Sequence, residues 1–128
     1  MTKPSREAEE LIPLSPSVYH ILLALAEGAR HGYAIMKDVE DRSDGRVLLS
    51  TGTLYAAIKR LLEGGLIEET DRRPSADEDD RRRRYYVLTG FGREVARAET
   101  LRMAELVGAA REKRLVTGSL EDPQAPSR

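Results

Sequence analysis

Cysteine is absent from this 128-residue chain. Disulfides, thiolate metal centres and cysteine nucleophiles are thereby excluded, and the lack fits a reducing cytoplasm. Tryptophan is absent too, phenylalanine occurs once, and aromatics make up only 5%. With 40% hydrophobic residues, a small core must rest on Leu, Ile, Val and Ala. No apolar run approaches the ~20 residues of a membrane-spanning helix. The charged start, MTKPSREAEE, lacks the apolar centre of an export signal. A cytoplasmic protein with no membrane partner is expected. A net basic charge is missing as well, the formal total being −1. A strongly basic chain would point to nucleic acid directly; here the placement of charge matters more. Residues 15–70 hold six Lys/Arg against eight Asp/Glu, while Arg81, Arg82, Arg83 and Arg84 form an unbroken run directly after DEDD at 77–80.

What is present falls into a short series of elements. Residues 1–13 are charged and prolyl and read as a flexible N-terminal arm. Ser15-Pro16 offers an N-cap and a proline suited to the first helical position. A first helix over about 15–27 buries Val18, Ile21, Leu22 and Leu25, and Gly28 closes it. RHGY reads as a short turn. A second helix over about 32–42 offers Tyr33, Ile35, Met36 and Val39 as apolar positions, and DRSDG ends it. Residues 46–49 form a short apolar link or a minimal strand. A third helix covers about 51–63, stopped by Gly64-Gly65. The period then changes. LIEETD at 66–71 and RRYYVLT at 83–89 read as the two strands of a hairpin with a long, mobile tip. A last helix over about 90–116 carries Phe91, Val95, Ala98, Leu101, Met103, Leu106, Val107 and Ala110, and the tail 117–128 reads as disordered.

The third helix begins oddly. Leu54, Ile58, Leu61 and Leu62 recur at helical spacing, yet its entry is Ser50, Thr51, Gly52 and Thr53, all short and poor at forming helix. Three short helices followed by a hairpin make a winged helix-turn-helix over 14–89, with 90–116 as an appended helix. The fold class expected is mainly α with a small β-hairpin. In helix-turn-helix proteins the second helix of the pair enters the major groove and presents its N-terminal residues to base edges. Small hydroxyls and a glycine at that end permit close approach, and free N–H groups at the positive end of the helix dipole suit a phosphate. Stepping about 100° per residue from the buried face puts Gly52, Tyr55, Ala56 and Lys59 outward. Candidate DNA-binding residues are therefore Ser50, Thr51, Gly52, Thr53, Tyr55 and Lys59, with Arg81, Arg82, Arg83 and Arg84 as the grip of the wing. Strand alternation sends two of those four arginines to each face, and the pattern leaves open which pair meets DNA.

These residues resemble the PadR-type transcriptional regulators from about residue 14 to 95. The resemblance rests on Tyr33 after Gly32, on STGTLYAAIKRLLEGGLI, on the hairpin ending RRRRYYVLT, and on GFGRE opening the last helix. It implies a homodimeric winged-helix repressor bound to a palindromic double-stranded DNA operator. The C-terminal helix would be the main dimerisation element, and a single such helix is similar to the shorter subfamily. Family members are often released from DNA by small, frequently aromatic molecules. The missing tryptophan departs from members that stack drug-like ligands on one, and a small hydrophobic effector is expected over a charged one.

Blander readings stand beside these. Ser50, Thr51 and Thr53 could act only as N-caps. Lys59 and Arg60 could form a solvated face, and the arginine run could pair with DEDD. Tyr33 reads as interhelical packing, Tyr85 and Tyr86 as hairpin packing, and His20 as flanking the first helix. His20 and His31 lack partners at metal spacing, so neither a metal nor a cofactor is expected. Without a nucleophile arrangement or a phosphate loop, an enzyme is not expected either. The rival to DNA binding is a winged-helix protein-interaction module. The apolar residues named on the last helix could serve the protomer's own core, but they follow a complete small domain and are assigned to the dimer seam.

Overall fold

The computed structural model describes residues 4–71 and 83–117. Eight elements follow one another: α1 (Arg6–Glu9), α2 (Pro16–Ala24), β1 (Arg30–His31), α3 (Gly32–Arg42), α4 (Thr51–Glu63), β2 (Ile67–Thr70), β3 (Tyr85–Leu88) and α5 (Gly90–Glu112). The expected tip of the hairpin, with Arg81 and Arg82, and the tail beyond 117 lie outside the described residues.

Each main helix starts on a side chain able to accept an orphan N–H. Ser15 Oγ accepts from Val18, Ser50 Oγ from Thr53 and Thr89 Oγ1 from Gly92. The apolar stripes then meet in one core. Ile21, Leu22 and Leu25 from the first part of the chain pack with Ile35 and Val39 of α3 and with Leu54, Ile58 and Leu61 of α4. Ile67, Tyr86 and Val95 close the core from the sheet and α5. α4 ends where Leu66 N–H bonds Leu61 C=O at 2.9 Å, which turns the chain directly into β2.

The sheet has three strands, in the order β1-β3-β2, all antiparallel. β3 is central: Tyr86 faces Arg30 on one side and Glu69 on the other, and Tyr85 faces His31 and Thr70. Tyr85 and Tyr86 are both buried, as hairpin packing requires. RHGY is therefore not only a turn, because its first two residues are a strand. Residues 46–49 are not a strand. Val47 N–H is instead taken by Ser43 Oγ at 3.0 Å.

The N-terminal arm departs from expectation as well. Residues 1–13 read as flexible, but Ser5 caps α1, Ala8 is fully buried, and Ser5 Oγ donates to Glu94 on α5 at 3.1 Å. The tether beyond it is Glu99, 2% exposed. Its carboxylate accepts from Leu14 N–H at 2.7 Å and from Arg102 Nε at 2.5 Å. The Arg102 guanidinium, and secondarily the Leu14 N–H, hold the Glu99 carboxyl below its ordinary value against the opposing effect of burial. A depressed carboxyl stabilises the fold above its unfolded value, and this contribution is lost as pH falls through the folded one. Glu99→Gln is therefore expected to cost about 1.5–3 kcal/mol near neutral pH, the range for hydrogen bonds to a charged group. That cost should shrink as the pH falls below the ordinary glutamate value of about 4.3. Urea unfolding across that range reads both, and a gap independent of pH would refute the role of the charge.

Candidate nucleic-acid interface

α4 offers its outer face as the periodicity requires. Leu54, Ala57, Ile58 and Leu61 are buried, while Thr51, Gly52, Thr53, Tyr55, Ala56, Lys59 and Arg60 are exposed. Ser50 is exposed too, but its hydroxyl is engaged: it accepts from Thr53 N–H at 3.1 Å and donates to Thr53 Oγ1 at 2.9 Å. Ser50 is thus the cap, and it holds Thr53 in place. Leu54 N–H bonds Ser50 C=O at 2.9 Å. The N–H groups of Thr51 and Gly52 precede the helix ladder and remain at its open end.

Tyr55 leaves the helix in an unexpected direction. It is 47% exposed, yet its hydroxyl end lies against Gly32 at the start of α3. A Cβ at Gly32 would fall 2.4 Å from the Tyr55 hydroxyl oxygen, so only glycine admits this approach. The phenol therefore reaches sideways, toward α3 and the sheet.

The base of the wing meets it there. Arg83 Nη1, just before β3, lies 2.8 Å from His31 Nε2 of β1. Arg84 Nε lies 3.6 Å from Glu69 Oε1 across to β2, with both side chains more than half exposed. Such a pair contributes little to stability and exchanges easily for another anion. Arg83 and Arg84 thus lean to opposite neighbours of the central strand. His31 also caps α3, its Nδ1 accepting from Ala34 N–H at 3.1 Å. Its ring stacks on Tyr33 at 6.4 Å and meets the edge of Tyr85 at 5.3 Å. Tyr33 is 63% exposed and does not pack between helices. Stacked beside His31, it belongs to this surface rather than the core. His20 lies away from the site, on the outside of α2, where its Nδ1 and carbonyl meet Arg42.

A cleft of about 340 Å³ opens between these elements, lined by His31, Tyr33, Tyr55, Arg83, Arg84 and Tyr86 around Gly32. Sequence reasoning assigned three of these side chains to DNA and left His31, Tyr33 and Tyr86 outside the site. The signal available was the pairing of Arg30-His31 with Tyr85-Tyr86 across an antiparallel ladder, which is invisible until β1 is recognised.

α5 divides in two. Val95 and Ala98, assigned to a dimer seam, are buried within the protomer, and Phe91 packs against the same core. This is a correction with a simple cause: the first turns of α5 roof the winged domain, so their apolar residues are already covered. Past Glu99 the apolar residues lose that cover. Leu101, Leu106 and Val107 are exposed, while Met103 and Ala110 are half-buried. No helix among the described residues is long and apolar enough to cross a membrane.

Comparison with known proteins agrees with this architecture. Residues 21–98 match the transcriptional regulator PadR-like family. A transcriptional regulator from Clostridium thermocellum is 27% identical, with 78% of this chain and 90% of that one aligned at a TM-score of 0.60. RosR of H. salinarum is also 27% identical, over 82% and 89% of the two chains, at 0.58. A PadR family transcription regulator from Clostridium difficile shares the fold at 0.63 with 24% identity, covering 78% of this chain and 99% of its own. An uncharacterized 37.1 kDa protein in a transposon of Streptomyces fradiae is 40% identical over 88 residues. These residues make up 69% of this chain but only 23% of that protein. The family match spans the helix-turn-helix, the sheet and the first turns of α5, and on that ground the chain belongs to the PadR-like family of transcriptional regulators.

Proposed function

We propose that this chain is a sequence-specific DNA-binding repressor that acts as a homodimer on a palindromic double-stranded operator and is released by a small hydrophobic effector. The observation that carries the reading is the exposed first turn of α4, which combines short residues and an open end with Lys59 and Arg60 about two turns further along the helix. Such an end fits the major groove, where its N-terminal side chains meet base edges and its free N–H groups meet a phosphate. Thr51, Gly52 and Thr53 serve as the readers, with Ser50 as the cap that positions Thr53. Lys59 contacts the backbone. Arg81, Arg82, Arg83 and Arg84 supply the electrostatic hold of the wing.

The dimer follows from the uncovered second half of α5. Two copies of α4 on a two-fold axis meet successive major grooves when separated by about 34–36 Å or a multiple of it. An effector entering the α5 seam changes that separation. It acts only through tighter binding to the misaligned form, and about 1.4 kcal/mol of preference shifts the ratio of the two forms only tenfold.

Recovering the fragments that the chain binds from its own genome tests the reading. Fragments with two-fold symmetric sites are expected, and fragments with a single asymmetric half-site would refute the dimeric mode. Lys59→Ala sharpens the test. Loss of one phosphate contact should weaken binding to all sequences alike and flatten the dependence of log K on log salt by about 0.9 per contact. An unchanged salt slope in a folded variant would remove Lys59 from the interface.

A further inference from the structure

The cleft beside Tyr55 has a one-sided chemistry. Among the described residues, the polar side chains that line it are two guanidiniums, three phenols and an imidazole, and the nearby carboxylate of Glu69 is paired with Arg84 at 3.6 Å. Guanidiniums are always donors, and phenols donate at neutral pH. Tyr86 makes the case specific. Its ring is buried, the residue being only 3% exposed, and it lines the cleft. Burial above all, then the neighbouring Tyr55 and Glu69, push its pKa up, against the effect of Arg84, so it stays protonated and able to donate. His31 stands beside them, its Nε2 2.8 Å from Arg83 Nη1.

The position is as telling as the chemistry. The cleft lies at the junction of α4, the start of α3 and the root of the wing, directly beside the exposed face of α4. An anion held there would touch the reading helix and the wing at once. We propose that this cleft seats one phosphate of the DNA backbone in each half-site, gripped by Arg83, Arg84 and the hydroxyls of Tyr55 and Tyr86. The inference rests on the DNA-binding reading and deepens it. The seat fixes the angle between α4 and the wing, and it makes Tyr55 a backbone contact. Phosphate contacts set register and orientation without carrying sequence information.

Tyr86→Phe removes one oxygen and keeps the buried ring, and Tyr55→Phe does the same at an exposed site. Both full-length variants are compared with the unaltered chain by thermal melting and by binding to a fragment recovered from the genome and to a scrambled duplex. Ethylation interference maps the phosphates. In the unaltered chain, ethylation of one phosphate per half-site beside the α4 contacts should block binding. Each variant should bind both duplexes about tenfold more weakly, the scale of one hydrogen bond to a charged group. Each should also lose its sensitivity to ethylation at that phosphate. An unchanged interference pattern in both variants overturns the seat while leaving DNA binding intact, and so does a change in base preference in place of a uniform loss. Inorganic phosphate, titrated at fixed ionic strength, separates the other source of the same chemistry. Binding of the free ion that depends on Tyr86, with the interference pattern unaffected by its loss, would make this a free-anion site and overturn the proposal. A chain that bound no duplex would overturn the DNA-binding reading and the seat together.

Discussion

Gly92→Ala is expected to destabilise the protein by about 3–5 kcal/mol, a large part of the ~5–15 kcal/mol that holds a domain folded. In most helices the same change stabilises by up to ~1 kcal/mol, because alanine is the better helix former. Here geometry reverses the sign. A Cβ at Gly92 would lie 1.9 Å from the Leu66 carbonyl oxygen and 2.8 Å from its carbonyl carbon. Neither atom belongs to a side chain that could swing away. Relief requires α5 to move off the turn after α4, and that joint is held by two hydrogen bonds from Thr89, whose hydroxyl also caps α5. Thr89 N–H bonds Leu66 C=O at 3.1 Å, Thr89 Oγ1 donates to Gly65 C=O at 2.6 Å, and Gly92 N–H bonds Thr89 Oγ1 at 2.9 Å. Overpacking alone costs ~1–3 kcal/mol, and each strained hydrogen bond adds ~1 kcal/mol. The melting temperature should fall by about 10–25 °C. Gly90→Ala, where nothing lies within 4 Å of the new methyl, is the control and should be near neutral. A Gly92→Ala protein that melted within a few degrees of the unaltered chain would show that the joint yields easily.

The longer helices were legible because each carries its own signal within a dozen residues. Ser50 followed by Leu54, Ile58 and Leu61 places α4 with no knowledge of the rest of the chain, and Ser15-Pro16 and Thr89-Gly90 do the same for α2 and α5. β1 was not legible. Arg30 and His31 are too few to show a period, and neither favours a strand; they are strand only because β3 presents Tyr85 and Tyr86 to pair with. α1 was missed for a related reason. A four-residue helix has no propensity that would hold it in isolation. It persists because Ala8 is buried and because Glu94 and Glu99, more than eighty residues away, bind the segment around it.

The site divides in the same way. Exposure along α4 follows from counting 100° steps, so Gly52, Tyr55 and Lys59 were placed on the outer face. The direction of the Tyr55 ring did not follow, since it depends on the absence of a Cβ at Gly32 on another helix. Nor could alternation tell which arginine leans which way, because β3 has neighbours on both sides and their order had to be known first. The dimer assignment failed at Val95 and Ala98 because a hydrophobic stripe does not say which body covers it. One helix carries two stripes in succession, and the boundary between them is set where the winged domain ends beneath α5.

That boundary gives the second large expectation: Leu106→Glu with Val107→Glu should turn the proposed dimer into a folded monomer. α5 is 23 residues long, about 35 Å, and its first turns are anchored on the protomer core. Beyond Glu99 the side chains Met103, Leu106, Val107 and Ala110 fall at i, i+3, i+4 and i+7, the spacing of one helical face. Leu106 is 57% exposed and Val107 41%, so glutamates there meet water in a single chain and should cost it little stability. Across a two-fold axis the same patch meets its own copy, and each glutamate would face apolar surface or another glutamate. Sedimentation should then report a monomer whose thermal transition remains cooperative. Binding to a two-half-site fragment should weaken by about 10²–10⁴, the advantage lost when the second arm no longer binds as part of the same molecule. Binding to an isolated half-site should change little, since α4 and the wing are untouched. A double variant that still sedimented as a dimer would place the seam elsewhere on the chain. A monomeric variant that kept full affinity for the two-half-site fragment would separate dimerisation from DNA recognition, and the symmetric operator would fall with it.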